Sequence, residues 1–238
     1  VILQVASSFP ADQSTLAVLN RKGEWNSAIP ESLSIHEFGT KRARSAIFCI
    51  AKFISQHKPP VIVSTLAYFN FVVMIAVKVS RHVPKKTILR EANTPSATLQ
   101  LFPFKIIGKF LYRWAYNKAS CVICNSEQVR DELIEIGVLE TLIRVVPNPV
   151  DTSTIRALAM ESAHFETSID PALPLFVFVG RLTKQKGVDE LINSIGIMRS
   201  KISLLIIGDG EERAFLENLT VKKGLHDRVH FLGFRSNP

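Results

Sequence analysis

Short apolar runs alternate along the chain with longer stretches in which apolar residues recur every three to four positions. The short runs predict strands over 16–19, 61–65, 87–90, 121–124, 144–146, 175–179, 204–207 and 229–232. The stretches between them predict helices over 43–56, 71–80, 104–117, 127–136, 188–199 and 211–223. Ser126 ahead of Glu127 and Gln128, the periodic Val129, Leu133 and Ile136, and Gly137 as a stop make the fourth of these a capped helix. Strand and helix in regular turn give an α/β fold of repeated βα units on a parallel sheet. The chain opens at Val1 inside a further strand-like run, 1–5, and stops at Pro238 just after another, so it reads as a fragment open at both ends. The regularity breaks once, between Val150 and Pro174, which predicts two domains, 1–168 and 169–238.

Composition narrows the function classes. The chain has 238 residues and a formal net charge of +8. That length suits one large domain or two small ones, with room for a sizeable core. The charge belongs to the first part, where 19 basic residues face 13 acidic ones, against 10 and 8 in the second. A basic balance alone would suit nucleic acid, but no base-reading motif accompanies it, so no nucleic-acid partner is expected. Three cysteines cannot build a disulfide framework, which favours a reducing, cytoplasmic interior. Cys121 and Cys124 have metal or redox spacing but no second pair, and in an apolar run they read as buried thiols. The six histidines are scattered without metal-ligand spacing, and no apolar run approaches the roughly 18 residues of a spanning helix. Neither a Gly-x-Ser-x-Gly elbow nor a phosphate-binding P-loop occurs.

Two loops carry chemical content. Phe176 to Val188 reads as a buried strand, then Gly180, then a basic loop with Arg181, Lys186 and Gly187 opening a helix. In a parallel sheet such a turn aims backbone N–H groups and the helix dipole at an anion. Arg181 could fork onto a phosphate and Lys186 add a second charge; the plain alternative is a solvated basic loop. One unit later comes Gly208-Asp209-Gly210-Glu211-Glu212, again between strand and helix. Its glycines could let a ligand approach the main chain, or simply make a tight turn. A dinucleotide fingerprint would need a third glycine where Arg213 stands, which counts against a nicotinamide enzyme.

A third feature is the helix expected over 104–117. Lys105, Lys109 and Arg113 recur every fourth residue, within about 80° of arc, while Phe104, Ile107, Leu111 and Trp114 form another stripe. Residues 78–118 hold nine basic residues and the single acid Glu91. Peripheral contact with an anionic membrane through Lys105, Lys109 and Arg113 is one reading, a solvent-facing stripe on a packed helix the other.

Taken together, FVFVGRLTKQKGVDELINSI, LLIIGDGEERAFLENL and VHFLGF in 176–233 closely resemble the nucleotide-sugar-binding domain of the retaining glycosyltransferase family 4. ILREANTPS, CVICNSEQVRDEL and VVPNPVD resemble the strand ends and interdomain stretch of its amino-terminal domain. The resemblance implies GT-B architecture: two Rossmann-like domains with mainly parallel sheets, the second incomplete here. It implies transfer of a sugar from a nucleotide diphosphate sugar to a cell-envelope or lipid-linked saccharide, with retention of configuration and no metal or other cofactor. It places Arg181 and Lys186 on the donor diphosphate, with Gly180, Gly187, Gly208, Asp209 and Gly210 around the donor. Arg90, Asn93, Asn125 and Ser126 fall on the acceptor side. A cytoplasmic location follows, peripheral on the inner face of the membrane. The chain also departs from the pattern. Glu91 stands where many members have a histidine near the reacting sugar, so Glu91 or Asn93 takes its contacts, or Arg90 and Glu91 form an ion pair on the strand rim. The family's Glu-x7-Glu motif would lie beyond Pro238, and no glycine occurs in 1–15 where a glycine-rich loop is usual. A catalytically incomplete nucleotide-binding module is the alternative reading.

Overall fold

The structure is a computed structural model that describes residues 2–10, 12–21, 29–30, 33–40, 42–161, 169–170 and 172–235. It divides into two compact units, Val1–Val150 and Asp151–Pro238. The division falls earlier than the expected boundary after Ser168. The main chain leaves its last strand of the first unit at Val145 and immediately turns through Asn148-Pro149 into a helix, Thr152–Ala159. His164, one of the scattered histidines, lies outside the described residues, as does the expected boundary itself.

In the first unit the order is α1 (Ile2–Ser7), β1 (Thr15–Val18), β2 (Ser34–Glu37), α2 (Ile47–His57, after a 3-10 turn Ala43–Ala46), β3 (Val61–Thr65), α3 (Ala67–Ser80), β4 (Lys86–Glu91), α4 (Pro95–Leu99), α5 (Lys105–Tyr116), β5 (Cys121–Cys124), α6 (Glu127–Ile136) and β6 (Ile143–Val145). The second has α7 (Thr152–Ala159), β7 (Leu175–Val179), α8 (Val188–Ile197), β8 (Ser203–Ile207), α9 (Arg213–Lys222) and β9 (Val229–Gly233). The described part of 1–5 is helical rather than extended, because a short apolar run satisfies either geometry and only its partners decide.

All strand pairs are parallel: β1 with β2, β3-β4-β5-β6 in order, and β7-β8-β9 in order. α6 shows why this sequence stops and starts where it does. Ser126 Oγ accepts the Val129 amide at 3.3 Å. Gly137, with φ +100°, closes the helix with its N–H on Ile134 O at 2.8 Å and the Val138 N–H on Leu133 O at 3.0 Å. α3, α5 and α6 pack on β4 and β5 around Phe71, Leu89, Tyr112, Tyr116, Val122 and Leu133. The Phe71 and Tyr112 rings meet edge to face with centroids 5.1 Å apart. In the second unit β8 is central, and all five of its residues are buried between flanking strands and helices. An uninterrupted apolar run is what a parallel strand covered on both faces requires. Among the described residues no helix is long and apolar enough to cross a membrane.

Candidate functional site

In the first unit the carboxyl ends of β3, β4 and β5 gather the polar residues. Arg90 Nη1 donates to Thr65 Oγ1 at 3.0 Å, and Nη2 donates to Asn148 Oδ1 at 2.6 Å. The main-chain oxygen of Arg90 accepts from the Leu66 amide at 3.2 Å and from Asn70 Nδ2 at 3.1 Å. Leu66 itself has φ +72°, a backbone state that a branched side chain avoids, at the point where β3 hands over to α3. Such strain costs on the order of 1–3 kcal/mol and persists only where surroundings impose it. Asn125 Nδ2 donates to Ala92 O at 3.1 Å and so holds the turn that exposes Asn93. Ser126 is occupied as the cap of α6. Thr65, Leu66, Asn70 and Asn148 join this site without having been expected there; VVPNPVD, which contains Asn148, resembled only an interdomain stretch.

Glu91 differs from its expected place. Successive strand residues face opposite sides, so with Arg90 directed to Thr65 and Asn148, Glu91 turns into the core. Its relative exposure is 0%. The Tyr116 hydroxyl donates to Glu91 Oε2, and Asn70 Nδ2 donates to the Tyr116 hydroxyl at 2.9 Å. Neither an ion pair with Arg90 nor access to a substrate is consistent with that burial. Desolvation pushes the Glu91 carboxyl above its ordinary 4.5, against the pull of the Tyr116 hydroxyl and the Asn93 amide. The folded protein therefore holds this proton more tightly than the unfolded chain, so stability falls as pH rises from about 4.5 through the folded pKa. Glu91→Gln keeps the shape and the acceptor for Tyr116 and should abolish that part of the decline. Denaturant unfolding of parent and variant between about pH 5 and 8 checks it; parallel curves would remove the protonated carboxyl from the account.

In the second unit the two expected loops lock onto one another. The Gly180 amide donates to Ile207 O at 3.0 Å, Leu182 N–H to Asp209 O at 2.9 Å, and Glu212 N–H to Leu182 O at 3.0 Å. Leu182 is fully buried beneath them. A Cβ on Gly208 would stand 1.9 Å from Gly180 O, and one on Gly210 2.3 Å from Leu182 O. The glycine faces are thus filled by neighbouring main chain. Asp209 is engaged as well: the Gly210 amide at 2.8 Å and Arg213 Nη1 at 2.9 Å hold its carboxyl below the usual range. Arg213, in the place of a third glycine, also reaches Glu217 Oε1 at 2.8 Å; the Asp-x3-Arg-x3-Glu spacing was the signal for this.

Arg181 and Lys186 remain exposed, and neither makes an ion pair or side-chain hydrogen bond among the described residues. They bracket the turn from β7 to α8, where Gly187, at φ +61°, precedes the helix and no side chain caps its first N–H groups. Two free cations beside an uncapped helix start are equipped to hold an anion of two or more charges. Lys105, Lys109 and Arg113 are exposed along α5; of the apolar stripe, Phe104 and Ile107 are exposed too, while Leu111 and Trp114 are half-buried against the core. Gly108, Tyr112, Ala115 and Tyr116 form the fully buried side. Cys124 is buried, which raises its thiol pKa, and Cys121 is half-buried.

The comparisons with known proteins bear on both units. The family described as Glycosyltransferase Family 4 matches residues 13–154, and Glycosyl transferases group 1 matches 159–238. A lipopolysaccharide core biosynthesis glycosyltransferase, LpsE of Rhizobium meliloti (strain 1021), is 31% identical over 137 residues, covering 56% of this chain and 38% of the relative. The N-acetylgalactosamine-N,N'-diacetylbacillosaminyl-diphospho-undecaprenol 4-alpha-N-acetylgalactosaminyltransferase of Campylobacter jejuni is 26% identical over 64% of this chain and 41% of its own length. The chain thus spans less than half the length of these curated relatives. Among solved structures, Anabaena HepE in complex with UDP-glucose aligns with a TM-score of 0.74 at 19% identity, over 99% of this chain and 65% of that one. The lipopolysaccharide outer core galactosyltransferase WaaB, apo form, aligns with a TM-score of 0.64 at 16% identity, over 99% and 64%. These likenesses establish the GT-B fold.

Proposed function

Since the chain belongs to glycosyltransferase family 4, whose match spans more than half of it, we propose that it serves transfer of a sugar from a nucleotide diphosphate sugar to a lipid-linked or cell-envelope saccharide, with retention of configuration. The observation that carries this reading is the pair of free, exposed cations, Arg181 and Lys186, on either side of the uncapped start of α8. In the reaction the bond from the anomeric carbon to the diphosphate oxygen breaks and a bond from the acceptor hydroxyl oxygen forms. The hydroxyl proton leaves with the nucleoside diphosphate. Charge grows on the departing diphosphate, and fixed cations and N–H dipoles stabilise it without reorganising. Arg181 and Lys186 supply that positive charge in this reading, with no metal needed. Gly180, Gly187, Gly208, Asp209 and Gly210 act at one remove by fixing the loops that carry the two cations. Arg90, Asn93 and Asn125 are the polar groups of the first unit suited to an acceptor's hydroxyls. A place at the cytoplasmic face of a membrane goes with a lipid-linked acceptor, like the undecaprenol-linked one named for the Campylobacter relative.

UDP is the first probe, because HepE was solved with UDP-glucose. Calorimetric titration of the chain with UDP, GDP and ADP is expected to show saturable binding of at least one, with Kd between about 1 µM and 1 mM. Absence of binding by all three into the millimolar range overturns the reading. Binding without transfer from the matching labelled sugar nucleotide favours the binding-module alternative.

A further inference from the structure

We propose that the first unit holds an oxyanion, a phosphate or carboxylate carried by the acceptor, on the guanidinium of Arg90. The proposal rests on the acceptor-side reading above and names the substrate class of that site. Arg90 stands at the carboxyl end of β4 and is half-buried. Two side-chain oxygens fix it. Thr65 Oγ1, at the end of β3, takes one Nη1 proton at 3.0 Å, and Asn148 Oδ1 takes one Nη2 proton at 2.6 Å. Both oxygens are neutral. The N–H of Nε and one proton on each terminal nitrogen are left over, in the planar fork that matches the edge of a phosphate or carboxylate. Among the described residues Arg90 makes no ion pair.

The charge is what a purely structural role leaves unexplained. Arg130 and Arg213 are half-buried too, but each is paired with two carboxylates, Glu127 and Asp131 for the first, Asp209 and Glu217 for the second. Arg90 has an acid next to it in the chain, yet Glu91 points into the core and accepts from Tyr116, and no other acid occurs between residues 78 and 118. A partly desolvated cation without a counter-ion raises the energy of the ligand-free protein, and an arriving anion recovers that energy. Because Thr65 and Asn148 already hold the fork in place, little side-chain freedom is lost when the anion binds. Three residues on, Asn93 is exposed and its side chain makes no hydrogen bond among the described residues, so it is free for a sugar hydroxyl next to the anion.

The test is titration of the whole isotope-labelled chain with glucose 1-phosphate, glucuronate and methyl glucoside, followed by the amide NMR signals of Thr65, Leu66 and Asn93. Arg181→Ala with Lys186→Ala serves as the background, so that the cations of the second unit cannot take the anion instead. At least one of the two anions should shift those signals saturably, and the neutral glycoside should bind about tenfold more weakly or worse. Which anion does so tells a phosphate-bearing carrier from an acidic sugar. Arg90→Gln should weaken the preferred anion by about ten- to a hundredfold, as expected for lost hydrogen bonds to a charged group. Asn148→Asp is the sharper variant, because it keeps Arg90 and its partner but supplies the missing carboxylate. Anion affinity should fall by about tenfold or more while the melting temperature holds or rises, an outcome that a mere latch between Arg90 and residue 148 does not produce. No saturable shift with either anion, equal binding of the neutral glycoside, or parental anion affinity in Asn148→Asp overturns the proposal. UDP titration of the parent separates the two readings. Anion binding through Arg90 in a chain that binds no nucleoside diphosphate refutes the donor reading and leaves this site standing, and nucleotide binding without anion binding refutes this site alone.

Discussion

Gly208→Ala is expected to cost the second unit about 3 kcal/mol or more, the range of a severe backbone clash rather than an ordinary surface change. The added Cβ would stand 1.9 Å from Gly180 O and 2.9 Å from Gly180 C, and φ at Gly208 is +139°. Nothing there can swing aside, because Gly180 is itself tied to Ile207 and Gly208 to Gly233 O at 2.8 Å. Gly210→Ala should behave alike, meeting Leu182 O at 2.3 Å. For a unit of this size each kcal/mol lowers the midpoint by roughly 4–8 °C, so the transition should drop well beyond 10 °C. Gly224→Ala is the control: φ is also positive, +64°, but nothing lies within 4 Å, and only the backbone cost of about 1 kcal/mol applies. Thermal unfolding of the three variants decides it. A Gly208→Ala protein melting level with Gly224→Ala would mean that the two loops separate freely.

The second large effect is expected on binding. Arg181→Ala and Lys186→Ala should each weaken the nucleoside diphosphate found in the titration by ten- to a hundredfold, as loss of a hydrogen bond to a charged group costs about 1.5–3 kcal/mol. Uridine without phosphates should bind parent and variants alike if UDP is that ligand. Both side chains are exposed and unpaired, so the melting temperature should stay within a few degrees. Arg181→Lys should recover only part of the affinity, because an ammonium cannot make the planar two-pronged contact. Unchanged affinity in both alanine variants would detach these cations from the donor.

The elements that the sequence made legible are those with a continuous local pattern. β8 is buried throughout, whereas Leu175–Val179, expected to be buried, has four of its five residues exposed and Cys121–Cys124 is fully buried only at alternate positions, yet all three stand out as apolar runs; α6 carries its caps in the chain. β2 was not expected, since Ser34-Ile-His-Glu has a single aliphatic residue and is a strand only because β1 pairs with it. α4 and α7 were missed for a similar reason, being short and poor in periodic apolar residues. At the candidate sites, Arg181 and Lys186 were readable because an unpaired charge after a strand is a local signal. The Arg90 contacts with Thr65 and Asn148 join residues far apart in sequence, and the burial of Glu91 depends on Tyr116 arriving from α5. The left-handed backbone of Leu66 has no residue-type signature at all. The exposure of Ile106 and Phe110 on α5 was hidden because a helix with apolar residues on two sides does not say which side finds a partner.

The all-parallel arrangement also governs how this chain reaches its structure. Among the described residues no strand meets its neighbour through a two-residue turn: Val61 pairs with Lys86, Ile88 with Cys121, and Leu175 with Ser203, each across a helix's worth of chain. Every first ladder bond must therefore close a loop of tens of residues before any pairing enthalpy is recovered. Local helices such as α6 form first and the sheets close late, so folding belongs to the millisecond-to-second range rather than the microseconds of helical bundles. Until they close, the apolar strands stand open to one another and to other chains, and synthesis from the amino terminus lets the first unit close its sheets while the second is still emerging.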